Sequence, residues 1–241
     1  MIRTLFGILF STLIAGYGIR KKALSPDGAA AGFAVGLFCC VLGGYRGAFV
    51  LFTFFISSSK LTRFRSAIKK KVEHEFKKGG QRNAVQVFAN GAMGCIFAIL
   101  FAFAAAPSWM QLLQFEELPL DVNRDTWSSV FMMAYIAHYA CCNGDTWASE
   151  LGIASNTLQP LLLVGVRPNG SPIFFQRVPR GTNGGVSTVG TLASVAGGLL
   201  IGICFCVVEL LINMFSGGIG VGYMLSICCW ATFAGFYGSM V

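Results

Sequence analysis

The sequence predicts an all-α protein, a single membrane-embedded domain over 1–241 with about seven transmembrane helices. Three observations lead there. The 241 residues are 55% hydrophobic and only 12% charged, against roughly 25% charged in a soluble domain. The mean hydropathy is +0.67. The apolar residues fall in long runs divided by short polar stretches, most approaching the ~20 residues that a spanning helix needs.

The runs are roughly 2–19, 28–44, 47–59, 84–106, 127–142, 188–215 and 219–238. The first could read as a signal peptide, because Arg3 precedes an apolar stretch. Arg20, Lys21 and Lys22 behind it outweigh Arg3 and favour an uncleaved helix. The second opens LSPDGAAAG, where Ser25 can cap the helix, Pro26 suits the first turn and Asp27 favours a helix N-terminus. A functional role for Asp27 is an equal reading. Gly28, Gly32 and Gly36 are spaced by four and leave a smooth stripe for a neighbouring helix. The third run, GAFVLFTFFISSS, is short; it either dips in and returns or borrows residues from the next loop.

The fourth run opens RNAVQVFANG. Asn83, Gln86 and Asn90 share one helix face with Arg82 at its mouth, as a polar pocket lining or as glue between helices. The fifth leads into CCNGDTWASELG. Asp145 and Glu150 are five apart, about 140° around an ideal helix, so both hold one ion only if the backbone breaks near Gly144 or a third group bridges. Asp145 shares its face with Ser149. Such carboxylates suit Mg²⁺ completed by water and substrate phosphate; the bland alternative is an N-cap at Asn143 or Asp145. Ahead of the sixth run stands RVPRGTNGGVSTVG, in which Arg177 and Arg180 precede a glycine-rich stretch and a helix start. Glycines can turn successive N–H groups toward an anion in front of a helix N-terminus; otherwise this is a flexible inner loop. It is not a Walker loop, since no Gly-Lys-Ser/Thr follows. Glu209, deep in the sixth run, needs a partner the sequence does not name.

Charge orients the bundle. The first, third and fifth loops hold 15 of the 18 basic residues, leaving Arg3, Arg46 and Arg124 on the other side. This predicts an outside N-terminus and cytosolic odd loops. The basic stretch 60–82 meets anionic lipid heads, which removes the need for a nucleic-acid partner to explain the net charge of +8. All nine cysteines sit in or beside apolar runs, so no disulfide framework is expected. His138, Cys141, Cys142 and Asp145 have helical spacing, but one His beside membrane cysteines is a weak metal signal.

The stretches GDTWASELG, GTNGGVSTVGTLAS, SPDGAAAGFAVG and RNAVQVFANG together resemble the family of integral membrane proteins that contains transmembrane protein 19 of animals and the phytyl-phosphate kinase of plants. The resemblance runs from about residue 24 to the end. It implies a fold related to CTP-using lipid kinases and a phosphoryl transfer that turns a prenyl monophosphate into a diphosphate. It places Asp145 and Glu150 as catalytic and Mg²⁺-binding residues. The same resemblance places Gly181, Thr182, Asn183, Gly184 and Gly185, and Gln86 and Asn90; with Arg177, Arg180 and Asn83 from the residue patterns above, these are the candidates for nucleotide or substrate binding. It also implies an acid-bearing GS-x-x-D-S-x-x-G-A pattern where this chain reads GFYGSMV, so the chain is expected to be C-terminally truncated relative to the family. The expected function is thus CTP- or ATP-dependent prenyl-phosphate kinase at the cytosolic face of an endomembrane such as the endoplasmic reticulum, with the N-terminus lumenal. A transporter or a non-catalytic membrane protein is the alternative.

Overall fold

The computed structural model describes residues 2–64, 81–106, 126–155, 159–166, 171–182, 184–214 and 220–240. Among them are seven helices: α1 (Ile2–Arg20), α2 (Pro26–Leu42), α3 (Gly44–Arg63), α4 (Ala84–Ala105), α5 (Thr126–Ala154), α6 (Thr188–Ile212) and α7 (Val221–Gly238). By length and composition α4, α6 and α7 can each cross a membrane, and α2 is a shorter apolar helix. The third run borrows at both ends and becomes a full 20-residue helix. Its start is fixed by the Gly43–Gly44 reversal, where Gly44 has φ +66°, a left-handed conformation that only glycine adopts without penalty. Most of the basic stretch 60–82 and of the acidic loop 107–126 lies outside the described residues.

α5 is the central post. Met132, Tyr135, Ile136 and Tyr139 are fully buried and pack with Val35, Phe54, Phe101, Phe205 and Ile227 of five other helices. Tyr135 donates to the Gly47 carbonyl at 2.8 Å, satisfying a hydroxyl that would be costly left alone. Large apolar side chains such as Leu9, Leu13, Phe103, Leu192, Leu211 and Phe233 face outward, as they should where the solvent is lipid.

Glycines bring α5, α6 and α7 into backbone contact. A Cβ built on Gly144 would stand 2.4 Å from the Gly235 carbonyl oxygen, and one on Gly198 2.4 Å from that of Ala231. A Cβ on Gly235 would meet the Gly198 Cα at 2.7 Å. Close approach through small residues is how helices associate where lipid removes the hydrophobic drive. The Gly28, Gly32 and Gly36 stripe works similarly: Gly28 lies against the Arg82 carbonyl and Gly36 against Ser11 of α1.

Polar contacts tie each end of the bundle. At one end Arg3 donates to the Leu42 carbonyl at 2.8 Å. There the partner of Glu209 is Arg46: Nε donates to Oε1, Nη2 to Oε2 at 3.0 Å, and Asn213 adds a bond at 2.9 Å. At the opposite end Ser25 and Arg82 exchange backbone contact, Ser25 N–H donating to the Arg82 carbonyl at 3.0 Å. Arg20 at the end of α1 and Arg63 at the end of α3 share this second end.

The all-α expectation needs one addition. Between α5 and α6 lies a three-stranded antiparallel sheet in the order β2-β1-β3, made of β1 (Leu161–Val166), β2 (Pro172–Arg177) and β3 (Gly185–Val186). Leu161 pairs with Arg177 on one side and Val186 on the other. The stretch RVPRGTNGGVSTVG, for which a flexible inner loop is the alternative reading, thus contributes the end of β2 and β3. LLLVGV and PIFFQR are apolar and partly β-branched or aromatic, which suits a half-buried pleated surface.

Candidate functional site

α5 answers why two carboxylates follow an apolar run. Its 29 residues at 1.5 Å each span about 44 Å, against a hydrocarbon core of ~30 Å. The helix does not end at 142; its last turns stand beyond the apolar part and carry Asp145 and Glu150 with them. Gly144 does not break it, because its missing Cβ is used for the contact with Gly235. The N-cap alternative for Asn143 or Asp145 is likewise corrected. Asn143 is fully buried, accepts from Ser57 at 2.8 Å and Ser58 at 3.2 Å, and donates to the Gly197 carbonyl at 2.8 Å. It clamps α3, α5 and α6 together just below Asp145.

Asp145 lines a polar cleft of about 310 Å³ at this end, with Ser149 one turn on. The opposite wall is Arg180, Gly181, Thr182, Gly184, Gly185 and Ser187, continuing to Gly190 and Thr191 of α6. The glycine-rich stretch forms tight turns because Gly181 (φ +81°) and Gly184 (φ +77°) are left-handed. Thr182 folds its hydroxyl back on the Pro179 carbonyl at 2.7 Å, and the Gly185 N–H donates to the Thr182 carbonyl at 3.1 Å. Ser187 caps α6, accepting from the Gly190 N–H at 3.0 Å. α5 and α6 nearly touch beneath the cleft, where a Cβ on Gly190 would sit 3.1 Å from the Ala148 carbonyl oxygen. Carboxylate, guanidinium, hydroxyls and a helix N-terminus thus converge, an arrangement able to hold a phosphate and a cation together.

The other sequence candidates are placed elsewhere. Glu150 is not in the cleft; its charge acts on Arg82, whose pKa burial lowers and Glu150 pulls back up. The helix is continuous, so the two carboxylates stay on separate faces. Arg177 ends β2, is exposed, and donates to the Gln159 carbonyl at 3.3 Å outside the cleft. Asn183 lies outside the described residues. Asn83 and Gln86 form the capping box of α4, each side chain bonded to the other's backbone N–H at 3.0 and 3.1 Å. Asn90 donates to the Gln86 carbonyl at 3.0 Å. Asp27 also caps α4, accepting from the Ala84 N–H at 2.9 Å.

Arg82, Gln86 and Asn90 are among the polar lining of a second, smaller cavity walled mainly by aromatic and aliphatic groups of α1–α4, with Tyr139 of α5. Among the described residues no three His, Cys, Asp or Glu side chains gather as a metal-ligating group. His138 is occupied with the Asn90 carbonyl at 2.8 Å and the Cys142 thiol at 3.8 Å. The sequence reading missed the cleft contributions of Ser187, Thr191 and Ser239. The first was legible as an N-cap serine before an apolar run; the end of α7 carries no local signal.

Comparison with known proteins gives the chain a family. The family described as integral membrane protein DUF92 matches residues 9–241. Protein PGR of Arabidopsis thaliana is 34% identical over 99% of this chain and 76% of its own length. Uncharacterized membrane protein sll0875 of Synechocystis is 30% identical over 81% of this chain and 65% of its own. Protein VTE6, chloroplastic, of Arabidopsis thaliana is 23% identical over 80% of this chain and 50% of its own. No solved structure matches. The chain belongs to the DUF92 family and is an integral membrane protein.

Proposed function

We propose that this member of the DUF92 integral membrane family is a phosphotransferase of the membrane interface, moving the terminal phosphoryl group of CTP or ATP onto a polyprenyl or phytyl monophosphate at the cytosolic face. The observation that carries the reading is the cleft that Asp145, Arg180 and the turns at Gly181, Gly184 and Gly185 line together before the N-terminus of α6. The resemblance of four motifs to the family that contains the plant phytyl-phosphate kinase supports it.

On this reading the glycine turns, the α6 N-terminus and Arg180 receive the nucleotide phosphates. The donor set of the cleft, one carboxylate among hydroxyls, fits Mg²⁺, which takes one or two carboxylates and completes its shell with water and phosphate. Asp145 would hold it, and the ion would neutralise charge on the transferring group. An oxygen of the prenyl monophosphate attacks the terminal phosphorus. A new P–O bond forms as the bond to the bridging oxygen breaks, and the nucleoside diphosphate leaves with the electron pair. Arg180 stabilises the charge spread over the transferring oxygens. Glu150 contributes from its own face of α5, through Arg82.

Purified protein incubated with radiolabelled CTP or ATP and a panel of prenyl monophosphates tests the proposal. Labelled prenyl diphosphate is expected. Asp145→Asn keeps size and hydrogen bonding, removes the charge, and should abolish product while insertion persists. Unaltered turnover in that variant, or no transfer to any prenyl phosphate, refutes the assignment.

A further inference from the structure

The second cavity shares no lining residue with the cleft. Its volume of about 70 Å³ is several times the roughly 10–15 Å³ that admits one water. Its walls are Phe10 and Ile14 of α1, Val35 of α2, and Phe52, Phe54 and Phe55 of α3. Such walls offer water few partners, and an empty apolar void forfeits dispersion contacts on every side. Its amide and guanidinium side chains all come from the start of α4, namely Arg82, Gln86 and Asn90, and Ser11, Cys40 and Tyr139 complete the polar lining. The Arg82 guanidinium carbon stands 5.7 Å from the Phe54 ring centroid. Among the described residues that guanidinium has no hydrogen-bond acceptor, and Glu150 reaches it through charge alone. A cation with free donors at the rim of an apolar hollow, inside a bilayer, matches a molecule that is hydrocarbon at one end and anionic at the other.

We propose that the cavity among α1–α4 binds the head-proximal carbons of a single-chain anionic amphiphile, with Arg82 holding its head. A prenyl phosphate and a fatty acid share this chemistry. Gln86 is placed to add its amide N–H, since its Oε1 is already engaged by the Asn83 N–H. Gly32 leaves the hollow open: a Cβ there would have Leu24 at 3.5 Å, an ordinary contact, so a larger side chain can enter without moving backbone. The inference concerns binding only and stands whether or not the chain transfers phosphate.

The test uses the full chain in nanodiscs of neutral phosphatidylcholine and tritiated farnesyl monophosphate, with farnesol and palmitate as competitors. Farnesyl monophosphate should bind, farnesol at least about tenfold more weakly, the size expected when one charge-assisted hydrogen bond is lost. Arg82→Gln should bring farnesyl monophosphate down to the farnesol level, and Gly32→Leu should remove binding of both. Arg177→Gln, which lies outside both cavities, should bind as the parent does, which shows that losing a positive charge elsewhere does not weaken binding. Competition by palmitate assigns the site to any anionic head, and lack of it to phosphate; either supports the proposal. A diazirine-bearing farnesyl phosphate should label α3 near Phe52 and Phe55, a readout that stands even if Gly32→Leu fails to fold. Equal binding of farnesol and its phosphate, retention of binding in Arg82→Gln, or labelling confined to the cleft overturns it.

Discussion

Removing the Glu209 carboxylate tests how the apolar bundle tolerates a full charge. Arg46 is 0% and Glu209 2% exposed, and two bonds join them, with Asn213 closing the remaining side of the carboxylate. Glu209→Ala deletes both carboxylate oxygens of that set and leaves the buried Arg46 guanidinium without this counter-charge. Breaking one partner of a buried pair costs about 3–5 kcal/mol, whereas replacing both by apolar residues of similar volume is close to neutral. The expected pattern is therefore asymmetric. Glu209→Ala should lose about 3–5 kcal/mol, Arg46→Met a comparable amount, and the Arg46→Met/Glu209→Leu double variant far less than either. Unfolding in mixed micelles with increasing SDS, followed by tryptophan fluorescence, reads all three on one scale. A loss below about 1 kcal/mol for Glu209→Ala, or a double variant as damaged as the sum of the singles, refutes the claim that this pair fastens α3 to α6.

Other expectations follow from the same contacts. Asn143→Ala leaves Ser57, Ser58 and the Gly197 carbonyl without their shared partner and should cost about 1–3 kcal/mol in the same titration. Asn83→Ala removes the α4 cap and should cost about 0.5–2 kcal/mol while leaving nucleotide binding to the purified protein unchanged, since its side chain is spent on the Gln86 N–H. Arg180→Ala should weaken nucleotide binding at least about tenfold, whereas Arg177→Ala, outside the cleft, should not; equal effects would remove the cleft from the argument. Cysteines placed singly at Lys60 and Gln159 should resist an impermeant thiol reagent in sealed right-side-out cells, as the distribution of positive charge demands.

The bundle was legible because hydrophobic runs report length and little else is required to propose a spanning helix. The 140° offset between Asp145 and Glu150 was legible for the same reason, being a property of any regular helix. What the sequence could not supply was continuation. Whether α5 stops at Cys142 depends on whether Gly144 breaks the helix or packs it, and that is decided by Gly235, more than ninety residues away in sequence. Gln86 and Asn90 do line a cavity, but Asn83 reads as part of the same stripe only because its spacing to Gln86 suits a shared face. The same spacing is that of a capping box, and only the extended backbone at Asn83 distinguishes the two. The partner of Glu209 was hidden because ion pairing across a bundle has no sequence period. The strands were hidden because they are short and follow one another inside a stretch whose charges drew attention to topology.

The glycine contacts among α5, α6 and α7 have a mechanical meaning. With Gly144, Gly198 and Gly235 seated against neighbouring backbone, no compressible side chain remains to absorb sliding. These three helices are a stiff frame, and shear between any two would first have to pull them apart. Asp145 and the α6 N-terminus are mounted on that frame and keep their separation. Compliance must come from elements without such seats. One is the β1–β2 hairpin that delivers Arg180 and the glycine turns; the other is the α1–α4 side, where packing leaves a void. A bulky ligand at this membrane face would be admitted by give in those two regions, against a wall that does not yield.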